Sequence, residues 1–153
     1  MQAVIMAAGE STRTYPLTLT RPKPLLSVAG KTLLEHNLTQ LDGLVDEVIL
    51  VVGYRQEMIR SFLGDVYQGM KLTYVEQKER LGTGHVLTTV RDYVSGRFMI
   101  MNGDDLFAHS DMETCLNCDL SVLAAEVGDA TRFGLLVVEN GILKGLTEKP
   151  PTA

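Results

Sequence analysis

The sequence predicts an α/β fold: a mainly parallel sheet covered by helices on both faces, with a mixed edge closed by a late hairpin. Three observations carry that prediction. Continuous apolar runs recur at 2–8 (QAVIMAA), 46–52 (DEVILVV) and 97–102 (RFMIMN), and each stops at a glycine: Gly9, Gly53 or Gly103. Strands buried on both faces need unbroken runs of this kind rather than polar alternation. Helix-compatible segments separate the runs. Near the end, Asn140-Gly141 stands between two apolar stretches, the strongest short hairpin signal. Strand alternating with helix gives a Rossmann-like three-layer sandwich.

In chain order, residues 2–8 form the first buried strand. Residues 10–30 are a loop broken by Pro16, Pro22, Pro24 and Gly30. Residues 32–42 read as a helix with Leu33, Leu34, Leu38 and Leu41 on one side. Residues 46–52 are a strand, 55–63 a helix and 71–76 a strand. Gly82-Thr83-Gly84 interrupts the chain before a helix over 84–94. The strand at 97–102 runs into Gly103-Asp104-Asp105. A short helix follows at 110–116, then a strand at 119–127 (DLSVLAAEV), then the hairpin of 133–138 with 142–147. There are no repeats, low-complexity tracts or linkers. The 153 residues stop at Lys149-Pro150-Pro151-Thr152-Ala153 with no closing helix, so residues 1–153 read as the truncated first part of one domain.

Apolar residues make up 45% and charged residues 22%, as in a soluble globular chain. No apolar stretch is long enough to span a bilayer, and Met1-Gln2 opens no secretory signal, so a cytoplasmic location is expected. A net charge of −5 and a pI near 5.1 argue against a nucleic-acid partner, and nothing suggests a membrane. Cys115-Leu116-Asn117-Cys118 could be a redox pair or half a zinc site with His109 as third ligand. No fourth ligand is evident, so two ordinary thiols are the preferred reading.

Against that acidic background, residues 11–34 hold Arg13, Arg21, Lys23 and Lys31 and no acid. In doubly wound sheets ligands sit beyond the carboxyl ends of the strands, so this first loop is the place to look. Gly9, Ser11 and Thr12 are small enough to let backbone N–H groups approach a phosphate. Arg13 offers a planar fork for two oxygens and Lys23 a compact charge. Pro22 and Pro24 are expected to hold Lys23 on a stiff, extended segment. Neither G-x-x-x-x-G-K-[ST] nor G-x-G-x-x-G occurs.

Gly9-Glu10-Ser11-Thr12-Arg13, Pro16-Leu17-Thr18, Pro22-Lys23-Pro24, Val28, Gly30-Lys31 and His36 together resemble the signature of the sugar-phosphate nucleotidyltransferases, roughly G-x-G-T-R-x-x-P-L-T, P-K-P and G-K-P. The resemblance covers the whole chain but only the first half to two-thirds of a family catalytic domain. Three positions depart from the pattern. Ser11 replaces the second glycine, Thr14 stands where a larger apolar residue is common, and Thr32 replaces the proline after Gly30-Lys31. The resemblance implies the nucleotide-diphospho-sugar transferase type of fold. The implied reaction transfers a nucleotidyl group from a nucleoside triphosphate to a sugar 1-phosphate, with pyrophosphate released.

The segment Gln77-Lys78-Glu79-Arg80-Leu81-Gly82-Thr83-Gly84-His85 is, by its residues, a strand end, a polar turn and a helix start. A glutamine amide can pair with a donor and an acceptor on a base edge, and Gly82 lets a flat ring approach. The segment resembles the Q-x-x-x-L-G-T-G-H of members that make UDP-N-acetylglucosamine. That implies UTP, with Ala8, Gly9, Ser11, Thr12, Gln77, Gly82 and Thr83 binding nucleotide. Asn102-Gly103-Asp104-Asp105 ends a buried strand, where a carboxylate can hold Mg²⁺; the resemblance assigns the metal to Asp104 and gives Asp105 no role. Phe133-Gly134 and Glu148-Lys149-Pro150 resemble the sugar-binding segments, which implies Gly134, Glu148 and Lys149 as sugar contacts.

The implied chemistry is in-line attack by an already anionic sugar-phosphate oxygen on the α-phosphorus, which needs no general base. Arg13 would steady the leaving pyrophosphate and Lys23 the α-phosphate. Glucose-1-phosphate thymidylyl- or uridylyltransfer is the alternative, and a non-catalytic nucleotide-binding fragment is another. Open apolar edges would favour a homo-oligomer.

Overall fold

The computed structural model describes residues 1–79, 82–129, 131 and 133–148, and the chain divides into two units, Met1–Asp119 and a second from Leu120 onward. The first unit starts with β1 (Gln2–Ala7), two short 3₁₀ turns at Thr12–Thr14 and Lys23–Leu25, and a tiny hairpin of β2 (Ser27–Val28) and β3 (Lys31–Thr32). It continues through α1 (Leu33–Leu41), β4 (Glu47–Val52), α2 (Gln56–Leu63), β5 (Val66–Tyr67), β6 (Met70–Glu76), α3 (Thr83–Val90), β7 (Phe98–Asn102) and α4 (His109–Leu116).

These strands form a five-stranded sheet in the order β5-β6-β4-β1-β7. β6, β4, β1 and β7 are parallel, and β5 adds an antiparallel edge to β6. The chain builds outward from β1 to β4 and β6, then returns to place β7 on the other side of β1. That reversal creates a topological switch point, where doubly wound sheets bind ligands.

The unbroken apolar runs pack as their pattern requires. On one face Ala3, Ile5, Val48 and Leu50 meet Leu34, Leu38 and Leu41 of α1, Ile59 of α2 and Met112 of α4. On the other, Val4, Ile49, Val51 and Val75 meet Val86 and Val90 of α3. Thr32 explains its own departure from the G-K-P pattern. It caps α1 by accepting from the Glu35 N–H at 3.1 Å, while its own N–H donates to Glu35 Oε2 at 2.8 Å. A proline has no N–H to close that reciprocal cap.

The amino ends of three strands are tied through one carboxylate. Gln2, Glu47 and Lys71 lie side by side on β1, β4 and β6. Glu47 accepts from Lys71 Nζ (2.9 Å), Thr73 Oγ1 (2.7 Å) and Gln2 Nε2 (2.9 Å). Those bonds, Lys71 first, hold its carboxyl down at about 2 instead of 4.5. The folded state therefore favours the carboxylate more than the unfolded chain does. The resulting stability is complete above pH 4.5 and drains away as pH falls toward about 2. In thermal melts, Glu47→Gln is expected to melt below the parent at pH 7, with the gap closing as pH drops from 4.5 to 3; a gap independent of pH would remove the carboxylate from this role.

In the second unit, β8 (Gly134–Glu139) and β9 (Ile142–Glu148) pair antiparallel as a separate two-stranded sheet, with a register shift at Val137/Val138. Asn140 and Gly141 both have positive φ, 52° and 76°, as the two-residue turn requires. The hairpin is thus present, while the antiparallel edge of the main sheet comes from β5. The strand expected at 119–127 is not formed. Residues 121–127 join no sheet and are exposed, because a strand exists only beside a partner strand, and no strand among the described residues pairs with them.

Candidate functional site

The carboxyl edge of the sheet gathers residues 8–9, 53, 77 and 103–105. Close strand approach there depends on glycine. A Cβ on Gly53 would sit 2.9 Å from the Ala8 carbonyl oxygen, and one on Gly103 would sit 2.8 Å from that of Met6. Gly103 N–H in turn donates to Met6 O at 2.9 Å, and Gln77 N–H extends the ladder to Val52 O at 2.9 Å.

A cleft of about 270 Å³ opens at this edge beside α3, lined by Met6, Ala8, Gly9, Gln77, Gly82, Thr83 and Val86. Met6 and Val86 give apolar walls, and Gln77, almost fully buried, gives an amide. Its Nε2 lies 3.4 Å from His85 Nδ1. Five residues named from the sequence as nucleotide contacts, Ala8, Gly9, Gln77, Gly82 and Thr83, therefore line one cleft. Gly82 has φ +90°, which only glycine takes without strain. Arg80 and Leu81 lie outside the described residues.

The basic loop begins at that cleft. Ser11 has φ +54°, in the left-handed region, which is the physical reason a glycine suits this position in the family pattern. The conformation is held by Ser11 O, which accepts from Thr14 Oγ1 (2.6 Å) and from fully buried Thr18 Oγ1 (3.0 Å). Thr14, read as a departure, thus serves as a local clamp. Arg13, on the turn Thr12–Thr14, is exposed and has no side-chain partner among the described residues. Farther along, Arg55 ties the loop to the β4–α2 connection by donating to Leu19 O at 3.0 Å.

Lys23 is not on an extended segment. Pro22 is extended, but Lys23–Leu25 is one 3₁₀ turn with buried Pro24 and Leu25 anchoring it against α1. Buried prolines still fix the position; their φ suits a tight turn as well as an extended one. Lys23 Nζ reaches the Asp104 carboxylate at 2.7 Å, joining two residues 81 positions apart. Asp105 instead accepts from Asn102 Nδ2 at 2.8 Å.

Among the described residues, no group of three or more His, Cys, Asp or Glu could hold a metal ion alone. A half-exposed aspartate at a strand end still suits Mg²⁺, which takes one or two carboxylates and fills its octahedron with phosphate oxygens and water. Of the residues raised for a zinc site, His109 spends Nδ1 donating to Gln40 O at 2.8 Å, and Cys115 and Cys118 form no disulfide.

In the second unit, Gly134 and Glu148 are directly opposed across β8 and β9. A Cβ on Gly134 would meet Glu148 Oε2 at 3.4 Å. Lys149 lies outside the described residues.

The sheet order, the cleft and the basic loop coincide with a family match: the nucleotidyl transferase family model covers residues 2–153. The chain belongs to the nucleotidyl transferase family. This nucleotidyl transferase chain is 36% identical over 152 residues to the bifunctional protein GlmU of Methanococcus maripaludis, covering 98% of this chain and 36% of that protein. It is 37% identical over 159 residues to the UTP–glucose-1-phosphate uridylyltransferase AglF of Haloferax volcanii, covering 98% and 65%. A crystal structure from Bacillus anthracis, assigned as a glucose-1-phosphate thymidylyltransferase in complex with sucrose, superposes with a TM-score of 0.87 at 28% identity, covering 98% of this chain and 65% of that one. The chain thus spans about a third of the GlmU relatives and about two-thirds of the shorter ones. Among the described residues, no helix is long and apolar enough to cross a membrane.

Proposed function

We propose that this chain transfers a uridylyl group from UTP to a sugar 1-phosphate, with N-acetylglucosamine 1-phosphate the favoured acceptor and pyrophosphate released. The observation that carries the reading is the cleft of Ala8, Gly9, Gln77, Gly82 and Thr83 at the same sheet edge as the Lys23–Asp104 pair and the basic loop. A base fits between the apolar walls. With Gln77 Nε2 turned to His85, Oε1 is left to accept from a base N–H such as N3 of uracil; cytosine carries an acceptor there. The triphosphate runs along Gly9, Ser11 and Thr12, with Arg13 on the departing phosphates and Lys23 on the α-phosphate. Asp104 would hold Mg²⁺, which when bound neutralises charge on the phosphates. Gly134, Glu148 and Lys149 are proposed to meet the sugar. The setting proposed is cytoplasmic nucleotide-sugar synthesis.

The likeness to AglF, a UTP–glucose-1-phosphate uridylyltransferase, supports a second reading with that acceptor, and the Bacillus anthracis structure extends it to thymidylyl transfer. Calorimetry with UTP, dTTP, CTP, GTP and ATP, each with and without Mg²⁺, tests the base. UTP is expected to bind at least tenfold more tightly than CTP, about one discriminating polar contact. Pyrophosphate release with each sugar phosphate then decides the acceptor. Binding of no nucleotide, or of all five alike, would overturn the proposal.

A further inference from the structure

The inward face of α1 is Leu33, Leu34, Asn37, Leu38 and Leu41. An asparagine in that stripe is out of place, and Asn37 is fully buried. Its Oδ1 has no hydrogen-bond partner among the described residues, so the fold tolerates a desolvated, unpaired acceptor. Its Nδ2 donates to the backbone carbonyl of Asp105 at 2.9 Å, across 68 positions of sequence. Apolar packing cannot explain the residue; the bond to Asp105 can.

That bond is one of three holding the turn after β7. Gly103 N–H is tied to Met6 O, and Asn102 Nδ2 to the Asp105 carboxylate. Asp104 lies between the tethered residues, with its own carboxylate directed to Lys23. The 3₁₀ turn carrying Lys23 also rests on α1, through buried Leu25 and the bond from Leu33 N–H to Leu26 O at 3.0 Å. One helix therefore supports both partners of the pair, Lys23 through packing and Asp104 through Asn37.

We propose that Asn37 is a positioning residue: its amide pins the Asp105 carbonyl and so fixes where the Asp104 carboxylate stands to receive a divalent cation and phosphate. The proposal rests on the nucleotide-site reading above. It predicts an unusual separation of stability from function. Asn37→Leu removes the unpaired acceptor and fills the stripe, while Asp105, an exposed residue whose carbonyl bond is only part-buried, can exchange the lost amide for water.

The test uses the full chain and three readouts: melting temperature, UTP affinity with and without Mg²⁺, and amide hydrogen exchange over residues 103–106. In Asn37→Leu, melting is expected to stay at or above the parent's. The factor by which Mg²⁺ tightens UTP binding should fall at least fivefold while metal-free UTP affinity holds, and exchange over 103–106 should quicken with the rest of the sheet unchanged. Should the leucine variant fail to fold, Asn37→Ala is read by the same ratio and the same exchange window. An unchanged Mg²⁺ factor with unchanged exchange overturns the proposal. So does a joint fall of melting temperature and of both affinities, the mark of a merely structural residue. If the parent itself shows no Mg²⁺-dependent UTP binding, the nucleotide reading fails, and exchange over 103–106 still decides the tether: quickening upholds it and no change removes it.

Discussion

Arg13→Ala is expected to weaken UTP binding roughly 10- to 100-fold, the value of one charge-assisted hydrogen-bonded contact of about 1.5–3 kcal/mol. Arg21→Ala should change it less than about threefold. The two arginines share a loop, a charge and an exposed position, so bulk electrostatics would make them equivalent. Geometry separates them. Arg13 stands on a turn whose preceding residue, Ser11, is locked in the left-handed region by Thr14 and Thr18, next to Gly9 of the cleft. Because Arg13 has no side-chain partner among the described residues, its removal breaks no existing contact, and melting should be unaffected. Calorimetry on both variants at one salt concentration checks this. Equal losses would reduce the loop to a diffuse basic patch, screened alike by salt.

The second large effect concerns Lys23 and Asp104, which neutralise each other at 2.7 Å. On the proposed reading both charges are needed by reactants, so binding would exchange one pairing for another. Asp104→Asn is expected to abolish the Mg²⁺ enhancement of UTP binding while raising metal-free affinity a few-fold, because Lys23 is released to the phosphates. The gain is small because a partly exposed pair contributes about 0–1 kcal/mol. Lys23→Ala should do the reverse: Mn²⁺ binding without nucleotide strengthens slightly, and metal-free UTP binding falls. Turnover should drop by roughly 10²–10³ in either variant, as for loss of one preorganised charge contact. Titrations with Mn²⁺ and UTP separately decide it. Losses of the same sign in both variants and both titrations would mean that the pair merely holds the loop down.

The family was legible before the fold because its signature is local. Gly9, Arg13, the Pro22-Lys23-Pro24 unit and the Gln77–Thr83 segment can each be read within a few residues of sequence. The helices and parallel strands were legible because burial on both faces forces unbroken apolar runs. Where expectation and structure part, the missing information is a partner distant in sequence. The run at 119–127 has strand composition but no ladder neighbour among the described residues. β5 is two residues long, too short for any periodicity. Lys23 was expected on an extended segment, yet proline φ is compatible with both conformations, and the choice was made by Leu25 packing under α1.

Residue identity alone thus determined the fold class, the basic character of the first loop and the glycines that end the strands, since each follows from side-chain size, charge or allowed φ at its own position. Tertiary structure decided which charges meet and which polar groups are left unpaired. Lys23 reaches Asp104, and Asn37 reaches Asp105, only because β7 returns beside β1 and brings the turn at 103–105 over α1. No pattern in the sequence signals such contacts, because a buried asparagine and a solvated one are the same letter until the sheet closes around one of them.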